Sequence, residues 1–325
     1  MKRTLLGIVA AVVAGSTWVA AAYLRDIRAA RQRVSIGSAV TETRCGPIEY
    51  AERGRGPPVL VVHGAGGGFD QGLLIGDRLI DHGYRVIAMS RFGYLRTPLP
   101  ADASAEAQAD AHACLLDTLG IDRAPIFGVS AGGPSTIQFC LRHSARCSAM
   151  ILMVPLAYPA QASDRLPRPA HFLVERAMQS DFLMWASARV FRTRMVETVL
   201  GTPAEDVRLA SGTERRRLHE MLDQILPVSS RARGLINEGA VARTLRPLPL
   251  DRISVPTLIV SAMDDGYGTY PGARYTAEHI AGARFIGYRN GGHMLVGHEA
   301  EFGAEALGLL DEVRHRATSD VPGSW

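Results

Sequence analysis

From Ser38 onward the hydrophobic and polar positions fall into short apolar runs separated by longer stretches of helical period. Two alternating runs, Ser38 to Arg44 and Ile48 to Arg53, flank Cys45-Gly46-Pro47 and read as a β-hairpin, because a period of two gathers apolar side chains on one strand face. Continuous apolar runs follow at Val59 to Val62, Arg85 to Met89, Pro125 to Val129, Met150 to Val154 and Thr257 to Ala262, and Arg284 to Tyr288 reads as one more strand. Amphipathic segments of helix length lie among them, clearest at Leu73 to Asp81, Ser104 to Leu119 and Ser135 to Leu141. Alternation of this kind predicts an α/β fold, a mostly parallel eight-stranded sheet flanked by helices on both faces.

The alternation stops between about Leu156 and Leu250. Val174, Met178, Phe182 and Trp185 recur at helical spacing, and Thr202-Pro203-Ala204-Glu205 has the form of a capping box with proline at its first helical position. Prolines at 155, 159, 167 and 169 mark the entrance and Pro247 and Pro249 the exit. Residues 156–250 therefore read as a helical cap inserted between core segments 34–155 and 251–325. A last helix carries Phe302, Leu309, Leu310 and Val313, with a fraying tail from Thr318.

Residues 1–33 are different. Thr4 to Leu24 are 21 residues without a charge, about the length that spans a bilayer, with basic residues on both flanks. This segment is expected to be a transmembrane anchor; a cleaved signal peptide, cut after the small residues Ala20 and Ala22, is the alternative and would leave a secreted or periplasmic protein. The arginines that follow would hold the remainder on the cytoplasmic side, but the opposite flank is basic too.

Charge then adds a restriction. The chain is +4 overall, but residues 1–33 hold six basic residues against Asp26, leaving residues 34–325 at −1. No nucleic-acid partner is expected from so neutral a body. Lys2 is the only lysine, which excludes a P-loop lysine, Schiff-base chemistry and a Ser-x-x-Lys nucleophile. Arg215-Arg216-Arg217 reads as a solvated helix face. Cys45, Cys114, Cys140 and Cys147 form no C-x-x-C pair and have no zinc spacing with the ten histidines, so no metal site is expected. Cys114 and Cys140 read as small core residues, and a Cys140–Cys147 bond is left open.

What remains is a serine. The run Pro125 to Val129 leads into Gly128-Val129-Ser130-Ala131-Gly132 and then a helix, and a serine on so tight a strand-to-helix turn needs small residues two before and two after it. Gly64-Ala65-Gly66-Gly67-Gly68-Phe69, after an earlier strand, lacks the third glycine of a dinucleotide loop. It is better suited to an oxyanion hole, with backbone N–H groups from Ala65 and Ala131. Met263-Asp264-Asp265-Gly266 and Asn290-Gly291-Gly292-His293 supply an acid and a base after later strands, in the chain order Ser, Asp, His.

From about Val34 to Ala317 the chain resembles the α/β-hydrolase superfamily, in the subset with a helical cap after the sixth strand. The resemblance is carried by His63-Gly64, Gly128-Val129-Ser130-Ala131-Gly132, Asp265 three residues after Ala262, and Gly292-His293. Ser90-Arg91-Phe92-Gly93-Tyr94-Leu95 is similar to the family's Asp-Arg-x-Gly-x-Gly, with serine and leucine replacing the acid and the last glycine. It implies Ser130 as nucleophile, His293 as base and then acid, and Asp265, rather than its neighbour Asp264, as the residue that fixes the imidazole. His298 is the competitor to His293 and is expected to cap or solvate a helix; His63 is expected to organise its turn rather than move protons. No cofactor is implied.

The family cleaves esters, thioesters, amides, lactones and some carbon-carbon bonds, so the fold does not choose the substrate. The leading expectation is hydrolysis of carboxylic esters of small hydrophobic molecules under an apolar roof drawn from Phe172, Met178, Phe182, Met184, Trp185 and Phe191. Cofactor-free perhydrolysis (haloperoxidase-like) and carbon-carbon hydrolysis use the same three residues. A non-catalytic, membrane-anchored ligand-binding module is the alternative from another class, and nucleic-acid or anionic-lipid binding through the basic N-terminus is a weaker one. Oligomeric state is not legible.

Overall fold

In the computed structural model, which describes residues 2–159 and 179–319, eight strands form one sheet. They are β1 (Ala39–Thr43), β2 (Gly46–Arg53), β3 (Pro58–Val62), β4 (Arg85–Met89), β5 (Ala124–Val129), β6 (Cys147–Met153), β7 (Thr257–Ala262) and β8 (Arg284–Tyr288). Their order is β1-β2-β4-β3-β5-β6-β7-β8; β2 runs antiparallel to both neighbours and every other pair is parallel. Val59 to Val62 and all of β7 are buried, as expected of strands covered on both faces.

One face packs α4 (Ala105–Thr118), α5 (Gly133–Arg142) and α11 (Tyr270–His279) over Leu60, Ile87, Ile126 and Met150. The other packs α2 (Phe69–Ile75), α3 (Asp77–Asp81) and α12 (Glu299–Ser319) over Val61, Ala88, Phe127 and Ile151. The helix expected over Leu73 to Asp81 is broken at Gly76, where a Cβ would stand 2.8 Å from Val86 Cγ1. Ser104 caps α4, its hydroxyl accepting from the Ala107 N–H at 3.2 Å.

After β6 the described chain from residue 179 to β7 contains helices and no strand: α6 (Asp181–Val190), α7 (Arg192–Val199), α8 (Ala204–Leu209), α9 (Gly212–Gln224) and α10 (Ala232–Thr244). The capping box is not at Thr202. Pro203 precedes α8 without a side-chain cap, whereas Ser211 and Glu214 form a reciprocal box at the start of α9. Thr202 is turned inward instead, donating to Leu200 O at 3.1 Å.

The apolar N-terminal segment is helical and, by length and composition, able to cross a membrane. Its helix, α1 (Lys2–Ser35), does not end with the apolar run. Ile27 and Ala30 are buried in one cluster with Met184, Trp185 and Leu222 of the cap. Trp185 Nε1 donates to Asp26 at 2.9 Å, Arg31 pairs with Asp181 at 3.2 Å, and Arg33 with Asp70 at 3.6 Å. Period explains this. Beyond Leu24 the helix keeps an apolar stripe that the uncharged count ignores.

The cysteine reading needs correction. Cys45 is bonded to Cys114 as well as Cys140 to Cys147, so Cys114 lies on the buried face of α4 but is not a free core thiol. The hairpin turn at Cys45 and α4 are adjacent only in space, which no spacing rule could reveal.

Candidate active site

β3 and β5 are neighbours although β4 lies between them in the chain, so the loops leaving their carboxyl ends turn to opposite sides and open a crevice. Ser130 stands at its edge, at the start of a single 3-10 turn between β5 and α5. Its φ is +50°, a left-handed conformation that costs a side-chain-bearing residue about 1–3 kcal/mol. A Cβ on Gly128 would stand 2.2 Å from Thr136 Oγ1, and one on Gly132 2.8 Å from the carbonyl oxygens of Val62 and His63. Both positions therefore need glycine.

His293 Nε2 lies 2.9 Å from Ser130 Oγ, and its Nδ1 lies 2.8 Å from Asp265 Oδ2. Asp265 accepts further bonds from the Thr269 hydroxyl and, at 2.8 Å, from the Tyr267 N–H. Burial would raise its carboxyl, but His293, Thr269 and the Tyr267 N–H outweigh that and hold it below the ordinary carboxylate range. The competing residues stand elsewhere. Asp264 accepts from the Gly292 N–H at 2.9 Å, and His298 stacks on Tyr288 with ring centroids 3.8 Å apart.

Ala65 and Ala131 line the same cavity as Ser130 and His293, and a Cβ on Gly64 would stand 3.1 Å from that of Ser130. His63 is fully buried. Its Nδ1 donates to Gly64 O at 2.7 Å while its Nε2 accepts from the Arg91 N–H at 3.0 Å. Burial and the Arg91 guanidinium push its pKa well below the usual histidine value, so the ring is neutral and fixes the turn. Arg91 then bonds His63 O at 2.9 Å, Ala131 O at 3.2 Å and Glu238 of α10 at 2.5 Å. It ties both loops to the cap.

The two departures from the family pattern have local substitutes. Ser90 donates to the buried Glu49 Oε2 at 2.9 Å, so the acid comes from β2 rather than from position 90. Leu95 takes φ +50° where glycine would do so without strain.

A cavity of about 670 Å³ opens at Ser130. Its walls are mainly apolar, with Leu74, Ile75, Met153 and Phe302 from the core and Leu200 and Met221 from the cap. The expected roof is not formed by the residues named for it that can be described. Met184 and Trp185 are buried in the cap's own core, whereas Phe182 and Phe191 are 44% and 62% exposed. The reason is that α6 buries Met184, Trp185 and Ala188 against α1 and its neighbours, which turns its other face outward. Phe172, Val174 and Met178 lie outside the described residues.

Sequence reading also missed groups around the site. Arg217 is not on a solvated face: it donates to Met294 O at 2.9 Å and pairs with Glu299 at 2.9 Å. Arg231, completely buried, binds Asp70 through both carboxylate oxygens at 3.1 and 2.7 Å. The signal for Arg217 was Leu218, Met221 and Leu222, an apolar stripe immediately beside it.

Comparison with known proteins agrees with this architecture. A model of the alpha/beta hydrolase fold family matches residues 57–299. The uncharacterized hydrolase YcgS of Bacillus subtilis (strain 168) is 27% identical over 281 residues, covering 82% of this chain and 95% of that protein. A 2-hydroxy-6-oxo-6-phenylhexa-2,4-dienoate hydrolase of Comamonas testosteroni is 34% identical over 113 residues, 33% of this chain and 40% of that enzyme. Among solved structures, an alpha/beta hydrolase fold protein from Nakamurella multipartita superposes with a TM-score of 0.68 at 26% identity, covering 84% of this chain and 98% of that one. An esterase from Exiguobacterium antarcticum shares the fold, with a TM-score of 0.63 at 22% identity over 85% of this chain and 99% of its own. A family model matched from β3 to the start of α12, on a sheet of this order, means that the chain belongs to the alpha/beta hydrolase fold family and is an enzyme of the hydrolase class.

Proposed function

We propose that the protein is a serine hydrolase that cleaves carboxylic esters of small hydrophobic molecules through an acyl-enzyme. The observation that carries this reading is the unbroken line from Ser130 Oγ through the His293 ring to Asp265, with hydrogen-bond distances of 2.9 and 2.8 Å, at the wall of an apolar cavity. Ser130 attacks the carbonyl carbon while His293 Nε2 takes its proton, and the charge developing on the carbonyl oxygen is received by the N–H groups of Ala65 and Ala131. The imidazolium is stabilised by ionised Asp265. His293 then protonates the leaving alkoxide, and a water activated by the same ring releases the acid.

Fluorophosphonate labelling with mass-spectrometric site mapping tests this together with turnover of p-nitrophenyl esters. Ser130→Ala should lose labelling and lower kcat roughly 10⁵–10⁶-fold. Equal turnover by that variant would exclude Ser130 as nucleophile. The likeness to the Comamonas testosteroni dienoate hydrolase favours one second reading, hydrolysis of a carbon-carbon bond by the same groups. A dienoate substrate run beside the esters separates the two.

We further propose that α1 anchors the protein in a membrane and that its domain faces an oxidising compartment, the side opposite to the one the arginines after the apolar run would favour. Support comes from the 21 uncharged residues and from two disulfides, which persist poorly where glutathione keeps thiols reduced. Membrane fractionation with intact-mass analysis and thiol titration tests both; a soluble product beginning near Tyr23, or four titratable thiols, would refute the corresponding part.

A further inference from the structure

His293 sits on a loop whose two preceding residues are glycines with φ of +113° and +60°, closed on itself by the Leu295 N–H to Gly292 O at 3.3 Å and the Val296 N–H to Gly291 O at 2.8 Å. Four consecutive backbone N–H groups fix that loop, and three of them are held by the cap. Gly291 N–H donates to Asp206 Oδ2 at 3.2 Å, His293 N–H to Gly201 O at 3.1 Å and Met294 N–H to Thr202 Oγ1 at 3.2 Å. The fourth, Gly292 N–H, goes to Asp264 Oδ1 at 2.9 Å. Gly201 O also accepts from Gly266 N–H at 2.8 Å, so one cap carbonyl restrains the turn after Asp265 and the loop of His293 together.

The approach is close on every side. A Cβ on Gly201, itself at φ +55°, would stand 2.7 Å from the Tyr267 ring and 3.1 Å from His293 Cβ. One on Gly292 would stand 2.7 Å from Thr202 Cα. Proton transfer between Ser130 and His293 tolerates little misplacement, and a shift of about 1 Å can cost on the order of a hundredfold in rate.

We propose that the cap segment Gly201–Asp206 is the positioning element for His293 and Asp265, with Asp206 as its side-chain clamp, so that the hydrolytic site is assembled only while the cap is seated. This rests on the serine-hydrolase reading above. Asp206 is a positioning residue and is not among the residues that line the Ser130 cavity. Its carboxyl is pushed up to about 6 by burial and by its hydrogen bond to Asp264. The groups facing it are Asp264 of the acid turn, Glu205 on its own helix and the Gly291 N–H, with His298 across Gly291. When neutral, Asp206 donates to Asp264 and still accepts from Gly291; once Asp206 ionises it has no proton left to donate, and the clamp loosens.

Asp206→Ala and Asp206→Asn in the full chain test this, with Ser130→Ala as reference. Asp206→Ala should lower kcat about tenfold to a hundredfold with KM changed less than about threefold, and should slow fluorophosphonate labelling in parallel. Asparagine accepts from Gly291 and donates to Asp264 at every pH. Asp206→Asn should therefore restore kcat to within about threefold and flatten the part of the kcat–pH profile near pH 6. The downfield proton resonance of the His293–Asp265 bond should weaken in the alanine variant and return in the asparagine one.

An Asp206→Ala enzyme within twofold of wild type, while Ser130→Ala is inert, overturns the positioning role and leaves the hydrolase reading intact. Wild-type activity unaffected by Ser130→Ala overturns both. Should Asp206→Ala fail to fold, Asp206→Asn decides alone, and an unchanged pH profile overturns the proposal.

Discussion

Removing the Asp70 carboxylate is the most demanding test of how the cap is held to the core. Asp70 lies in α2, beside the loop that carries Ala65, and takes both terminal nitrogens of the fully buried Arg231, at 3.1 and 2.7 Å. Arg231 also donates to Gly67 O, and Arg33 of α1 approaches the same carboxylate at 3.6 Å. Three parts of the chain converge on one buried anion. Asp70→Ala would leave a guanidinium out of water without its counter-ion, which costs about 3–5 kcal/mol. At about 2–4 °C per kcal/mol for a protein near this size, the midpoint should fall on the order of 10 °C. The double variant Asp70→Leu/Arg231→Met removes both charges and fills the space with apolar atoms, so it should recover most of the loss. Urea and thermal unfolding followed by circular dichroism measure the cycle. A single variant less than about 1 kcal/mol weaker than wild type, or a double variant as poor as the single, would refute the claim that this buried pair governs cap seating.

Three further outcomes follow from the site. Asp265 is held below the ordinary carboxylate range, so its contribution to stability is present above that range and lost as pH falls through its folded value. Asp206 is raised to about 6, so its contribution is present below about pH 4 and lost as pH rises toward 6. The urea midpoint of Asp206→Asn relative to wild type should accordingly rise between pH 4 and 7, and a flat difference would contradict the assignment. Met221 of α9 lines the cavity, and Met221→Trp should lower kcat/KM for long acyl esters at least tenfold while sparing acetate esters; parallel loss for every chain length would place Met221 outside the acyl path.

The sheet was legible because parallel strands buried on both faces leave short uninterrupted apolar runs such as Val59 to Val62, a pattern that half-exposed strands and amphipathic helices do not produce. Ser130 was legible because its strained turn demands glycine at 128 and 132, and sterics of that kind are written in the chain. Asp265 and Asp264 could be separated only by the resemblance; in three dimensions the Asp265 carboxylate meets the ring while that of Asp264 meets a backbone N–H. Contacts made by backbone atoms left no trace, because Gly201 O can bond any N–H and its chemistry is independent of residue type. The same holds for the Cys45–Cys114 pairing and for Phe182 and Phe191, whose direction depends on which face of α6 found a partner.

That partner is α1, and its continuity has a mechanical consequence. At about 1.5 Å per residue its 34 residues form a rod about 50 Å long. Ala10 to Ala21 project uncovered from the body, while Ile27 and Ala30 are set into the cap and no turn interrupts the helix between them. A flexible leash would let the domain tumble freely beside whatever holds its end. A rod transmits tilt, so a surface that grips the first twenty residues also sets the compass bearing of the cap and the direction in which the Ser130 cavity meets arriving molecules.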